Sequence, residues 1–198
     1  MNRYSFVFLF FCSQFFFSQK NNLNGWIVQP KLGVLQYEKE KEFSSNAYSV
    51  SGIIGKEFQI GKKSSLVSGV KVESLYGNYK DYTFKSNFIE LPLLFRYYFL
   101  PENNSTIFLS FGVENKFKIK ENFKNIVLDT EYKGETGYHL GGIVEIGYKT
   151  KVSDSMDFLL GFNYSGDFAN IGYETSAYKM LNGVSISFGI EVYDQKKN

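Results

Sequence analysis

The chain has 198 residues, enough for one domain with a sizeable core or a closed barrel. Aromatic residues make up 19% of it, with 21 Phe and 15 Tyr, and 18 Gly stand beside 3 Pro, a composition of strands rather than helices. Lys and Arg total 22 against 20 Asp and Glu, giving net +2 with no basic run, which argues against nucleic acid as a partner.

The first segment reads as a secretory signal peptide. Arg3 is its charged start, Phe6 to Phe17 an almost unbroken apolar run, and Ser18-Gln19 its end. That run is too short for a membrane helix, which takes about 20 residues. Cleavage is expected near Ser18, dividing the chain into a signal peptide, 1–19, and one barrel domain, 20–198. The single cysteine, Cys12, leaves with the signal, since bulky Phe10 and Phe11 precede it where a lipobox needs small residues. The mature domain then has no disulfide or thiolate chemistry.

From Trp26 to Tyr37 the residues alternate, with Trp26, Val28, Pro30, Leu32 and Val34 on one side and Gln29, Lys31, Gly33 and Tyr37 on the other. Glu38 to Ala47 is polar and predicts a loop. Tyr48 to Ile60 resumes, setting Val50, Ile54 and Phe58 against Ser51, Gly55, Glu57 and Gln59, with Lys56 interrupting the apolar face. After a tight turn at Gly61 to Ser64, Ser65 to Tyr79 places Leu66, Val70, Val72 and Tyr76 opposite Gly69, Lys71 and Glu73. Lys80 to Ser86 predicts a second polar loop.

Phe88 to Phe99, F-I-E-L-P-L-L-F-R-Y-Y-F, is the most strongly patterned strand. Ile89, Leu91, Leu93, Phe95, Tyr97 and Phe99 share one face, and Glu90, Pro92, Leu94, Arg96 and Tyr98 the other. Proline donates no ladder bond, so a bulge or a missing bond is expected at Pro92. A turn at Pro101 to Ser105 leads to Thr106 to Lys118, and Ile119 to Gly137 then predicts the largest loop. Tyr138 to Thr150, Met156 to Gly166 and Met180 to Tyr193 are the remaining strands, separated by a turn at Val152 to Ser155 and a loop at Asp167 to Tyr178. Asp194 to Asn198 is a charged tail.

Long polar connections thus alternate with tight turns, the asymmetry of outer-membrane barrels, and an even strand count puts both termini on the short-turn, periplasmic side. The polar faces carry Lys31, Glu57, Lys71, Glu73, Glu90, Arg96, Glu114, Lys116, Glu145, Lys149 and Glu191. A soluble lipocalin-like barrel would turn these charges to water. Here Trp26, Tyr37, Tyr48, Tyr76, Tyr148, Tyr164 and Tyr193 read as outer aromatics near strand ends, like interfacial girdles. Strands of eleven to fifteen residues also suit a tilted crossing, so lipid belongs outside. The expectation is an all-β, eight-stranded, antiparallel up-and-down transmembrane barrel whose lumen side chains fill.

The strand F-I-E-L-P-L-L-F-R-Y-Y-F, the signal ending in Ser18-Gln19 and the closing S-I-S-F-G-I-E-V-Y resemble the outer-membrane β-barrel domain family of Bacteroidetes, which includes PorT-like proteins. E-L-P-L-L-F-R-Y-Y-F is similar to that family's E-[IL]-P-x-L-hydrophobic-[KR]-Y-Y-F strand. The resemblance implies residence in the outer membrane and, for PorT-like members, a role in type IX secretion or gliding; it implies no catalytic residues. The chain departs from many outer-membrane barrels by following Tyr193 with D-Q-K-K-N instead of ending on an aromatic residue.

The candidate site is therefore the lumen: Glu90, Arg96, Glu114, Lys116, Glu145, Lys149 and Glu191 as an ion network that fixes register. Glu90 and Arg96 are six residues apart, about 20 Å along a strand, so each must pair with neighbouring strands. A hairpin centred near Ser153 mirrors His139 onto Asp167 at the rim, and with Ser165 and Tyr138 nearby this resembles the kit of a surface acyltransferase. No cofactor or metal is expected, since no nucleotide loop or metal-ligand spacing occurs. The leading expectation is a non-enzymatic structural or interaction protein whose partners are outer-membrane lipid and secretion-machinery or other envelope proteins. A narrow channel or small-ligand carrier is the alternative, and a surface enzyme a third.

Overall fold

The computed structural model describes residues 24–39, 43–79, 81–100, 104–134, 136–171 and 178–193. Residues 1–23, which include the segment expected to be a signal peptide with Cys12, and the tail 194–198 lie outside these described residues, as do 40–42, 80, 101–103, 135 and 172–177 within the connections. All regular structure described is β: β1 (Gly25–Lys39), β2 (Phe43–Gln59), β3 (Ser64–Tyr79), β4 (Tyr82–Tyr98), β5 (Ser105–Asn125), β6 (Thr130–Lys133), β7 (Gly137–Ser153), β8 (Met156–Ile171) and β9 (Tyr178–Tyr193).

Every neighbouring pair is antiparallel, and the sheet runs β4-β3-β2-β1-β9-β8-β7-β5 with β4 returning to β5. That last pairing, Tyr82↔Asn125 to Tyr98↔Phe108, closes eight strands into an up-and-down barrel. The ninth strand, β6, pairs with the end of β5 alone.

The period of two sorts the faces as a lipid-facing wall requires. Val28, Leu32, Ile54, Val70, Val72, Phe111, Ile146, Phe162 and Ile186 are exposed outside, while Lys31, Glu57, Lys71, Glu90, Arg96, Glu114 and Glu145 are buried inside. Lys56 sits on the outer face with its ammonium 5.4 Å from the Trp26 ring and 5.8 Å from the Phe58 ring, so aromatic faces accommodate its charge. Two of the expected outer aromatics lie inside instead. Tyr37 is buried against Phe84, and Tyr193 donates to Asp157 from the inward face of β9. Both have odd numbers on strands whose outward residues are even, so parity decides against position near a strand end.

The strands run 15 to 21 residues in the eight-stranded wall, longer than the segments read from alternation. Most of Glu38 to Ala47 and of Lys80 to Ser86 is ladder, not loop, as is every described residue of Asp167 to Tyr178. In these stretches the outward residues are polar, as Asn46 and Lys85 are, while inward ones such as Ala47, Phe84 and Ser86 stay buried, so the apolar outward face fades while hydrogen-bonded pairing continues. The stretch Ile119 to Gly137 is likewise a hairpin. β5 leaves its partner β7 at Lys118↔Gly137 and continues beside β4 to Asn125. It then turns over Ile126 to Asp129, the latter at φ 50°, into β6. A bulge sets Asn87 opposite Lys120 but Phe88 opposite Lys118, so Ile119 is the extra residue and the faces of β5 swap beyond it.

Pro92 produces a missing bond rather than a bulge. The β3–β4 ladder keeps one register from Ser68↔Leu93 to Lys71↔Glu90 but skips the two positions between, and Ser68 Oγ donates to the Pro92 carbonyl at 3.1 Å. Pro30 leaves the same kind of gap between β1 and β9.

Candidate functional site

The lumen holds its charges in two belts because the inward residues of successive strands stack at matching heights. In the belt nearer the chain termini, Arg96 of β4 reaches two strands each way. Its Nη1 donates to Glu57 Oε2 on β2 at 3.0 Å, its Nη2 to Glu145 Oε2 on β7 at 3.1 Å, and its Nε to Ser110 Oγ at 3.0 Å. The guanidinium lies 4.2 Å from the centre of the Phe108 ring. Tyr98 and Ser65 both donate to Glu57 Oε1, and Gln29 Nε2 donates to Glu145 Oε1 at 3.0 Å. Lys149 completes this belt at 2.6 Å from Glu191 and 3.6 Å from Asp157.

The second belt is centred on Lys71, with Glu90 at 3.0 Å, Glu114 at 3.2 Å and Glu73 at 3.8 Å. Glu90 is fully buried, and the Lys71 ammonium is the cation that stands against its carboxyl group. Lys116 lies 3.1 Å from Asp167 and 3.7 Å from Glu114. Lys31 donates to Asn163 Oδ1 at 3.1 Å.

Above the belts an apolar cluster of Leu35, Tyr37, Ala47, Leu75, Phe84, Phe88 and Met180 crosses the barrel. Glu121 sits among these rings, held by Lys118 at 2.9 Å and by Ser86, which donates at 2.8 Å. A second apolar cluster, including Ile27, Val67, Leu94, Phe108 and Leu159, packs within the wall around the Arg96 belt. Side chains therefore occupy the lumen in layers, apolar and ionic in turn.

All seven network residues read from the sequence lie inside, but they divide between the belts. Arg96, Glu145, Lys149 and Glu191 belong to one, and Glu90, Glu114 and Lys116 to the other. Sequence reasoning missed Glu121 as a lumen residue because it falls where polarity predicts a loop, and left out Lys118, the last residue of the strand read there; the bulge at Ile119 returns Glu121 to the inside. Parity counted from Asn125 backwards was the signal that could have found it.

His139 Nδ1 lies 3.1 Å from Asp167 Oδ2, with the Met180 backbone amide donating to the same oxygen at 3.0 Å. The pair is diagonal: a register shift after Leu140 sets Gly141, not His139, opposite Asp167. The Phe88 ring stands edge-on to the imidazole at 5.6 Å. Tyr138 is no part of this cluster, since it points outward and donates to Asn115 at 2.7 Å. No serine hydroxyl among the described residues is hydrogen-bonded to the imidazole. No group of His, Cys, Asp and Glu among them could hold a metal ion.

Comparison with known proteins bears on the fold. No curated protein sequence matches the chain. The crystal structure of neisserial surface protein A, NspA, superposes with a TM-score of 0.56 at 16% identity, covering 85% of this chain and 97% of that one. Ail, the attachment invasion locus protein of Yersinia pestis, gives 0.45 at 6% identity, covering 88% and 100%. The outer membrane enzyme PagL gives 0.43 at 11%, covering 83% and 98%. The likeness to NspA speaks for a shared fold. A family model described as the outer membrane protein beta-barrel domain matches residues 3–195. Its match spans nearly the whole length, and the closed eight-stranded wall is the architecture such a domain needs, so the chain belongs to the outer membrane protein beta-barrel domain family.

Proposed function

We propose that this small outer-membrane barrel is a structural and interaction protein, not a conduit or an enzyme. The observation that carries this reading is the lumen: Arg96 ties β2 to β7 across it, and the Tyr37–Phe84–Phe88 layer crosses it above. What remains free to meet a partner is the sheet of β3, β4, β5 and β6 that rises beyond the β5–β7 pairing. Recognition on such a platform falls to its turns and edges. In this reading the signal peptide is removed near Ser18, both termini lie in the periplasm, and the hairpin tip Ile126 to Asp129 faces the cell exterior.

The more specific proposal is PorT-like support of secretion, with secretion-machinery or other envelope proteins as partners. It is supported by the resemblance of E-L-P-L-L-F-R-Y-Y-F, now seen as the half of β4 that supplies both Glu90 and Arg96. Planar-bilayer recording tests the first part: the reading expects no steady conductance, and stable open-channel current would replace it with the channel alternative. Deleting the gene tests the second. Type IX cargo should accumulate in the periplasm, and unchanged secretion would remove the PorT-like role.

A further inference from the structure

Four lysines meet on the outward face of the projecting sheet. The ladder sets Tyr76, Lys85, Asn122 and Lys133 side by side on β3, β4, β5 and β6. Lys120 and Lys124 lie two residues below and above Asn122 on β5. All four lysines are therefore on one face, grouped about Asn122 within roughly 13 Å along the strand and 10 Å across it. β4 carries no extra residue here, so this face is the direct upward continuation of the lipid-facing Ile89 and Leu91. Lys85 stands four residues beyond Ile89, about 13 Å along a tilted strand, where hydrocarbon has given way to headgroups.

Only Lys124 among the four has an ion pair with a described residue, Asp129 at 2.7 Å, which holds that aspartate below its usual carboxylate range. Lys85 is braced over the Tyr76 ring at 4.9 Å. Glu131, beside Lys124, is the one acid on this patch of ladder. The Asn122 side-chain oxygen is covered yet accepts no hydrogen bond from the described residues. A concentration of cations at headgroup height matches a ligand bearing phosphates.

We propose that Lys85, Lys120, Lys124 and Lys133, grouped about Asn122, form a binding site for the phosphorylated glycolipid headgroups of the outer leaflet. The assignment rests on the orientation given above, with the β5–β6 tip outside the cell. The site sits where such headgroups lie, and a rigid four-stranded surface presents the cations at fixed spacing, as an ordered anionic surface favours.

The test uses the full-length protein in mild detergent with bis-phosphorylated lipid A as the probe, read by native mass spectrometry. Wild type should retain the lipid. The variant carrying Lys85→Gln, Lys120→Gln, Lys124→Gln and Lys133→Gln should retain it roughly tenfold less, while still showing the heat-dependent gel shift of a folded barrel. A control with Lys62→Gln and Lys63→Gln, in the tight turn at the other end of the barrel, should behave as wild type. Dephosphorylated lipid A should bind wild type as weakly as bis-phosphorylated lipid A binds the quadruple variant. Equal retention by the folded quadruple variant overturns the site, as does equal binding of the dephosphorylated lipid. A sulfated oligosaccharide that displaces lipid A and depends on the same lysines would reassign the patch to a soluble polymer. Orientation is read separately by Val127→Cys and an impermeant maleimide on intact cells: labelling supports the shared premise, and labelling only after lysis overturns it.

Discussion

Arg96 Nη2 and Glu145 Oε2 stand 3.1 Å apart although β5 lies between their strands. The same guanidinium reaches Glu57 on the opposite side, so one side chain spans the lumen from β2 to β7. With both carboxylates buried, removing the cation leaves two charges that the interior cannot solvate.

Arg96→Met should therefore cost about 3–5 kcal/mol in reversible urea unfolding from lipid vesicles, followed by Trp26 fluorescence. Arg96→Lys should lose less, since one ammonium serves a single carboxylate well. A loss below about 1 kcal/mol for the methionine variant would show that the belt does not fix the wall.

Gly147 faces the Phe108 ring, and a Cβ there would overlap that ring and come within 2.7 Å of the Leu160 carbonyl oxygen. Gly147→Leu should destabilise by about 1–3 kcal/mol through overpacking, and also push Phe108 from beneath Arg96. Combining it with Phe108→Ala should give less than the sum of the two losses, because the smaller residue vacates the space. Strict additivity in the same unfolding assay would deny the contact its role.

Phe88→Ala removes a ring from the upper apolar layer and from the edge of His139, and should cost about 3 kcal/mol. Conductance should nonetheless stay absent, because the Lys71–Glu90–Glu114 and Arg96 belts still occupy the lumen below. A variant that conducts steadily would show the aromatic layer to be a gate.

His139→Ala should leave the lipid A acylation pattern unchanged in a strain that expresses it at wild-type level, since no nucleophile stands against the imidazole among the described residues. A lost acyl-transfer product would restore the enzyme reading.

Replacing Ile126, Val127 and Leu128 together with serine should change unfolding stability by no more than about 0.5 kcal/mol, because these residues are 56%, 72% and 66% exposed and support no core. Any function that requires the tip should fall without loss of folded protein, as measured by partner cross-linking from native membranes.

Phe88 to Phe99 determined much of this protein by itself: strict alternation with charge on one face needs a wall between oil and a polar interior, and eight such segments need closure. The same periodicity assigned Glu90 and Arg96 to one inward face and ruled out their pairing. What it could not supply were partners, since Arg96 meets Glu57 and Glu145 only through the register of strands far apart in the chain. Nor could it follow strands where the outward face turns polar and the inward one carries Glu121 and Asn125, which leaves no hydrophobic period, and this is why β6 and the end of β5 read as loop. The extra residue at Ile119 then reverses parity, sending Glu121 inward and gathering Lys120, Lys124 and Lys133 on the outer face beside Lys85. Local pattern fixes which face a residue takes only while the count of two holds; pairing across the ladder decides the rest.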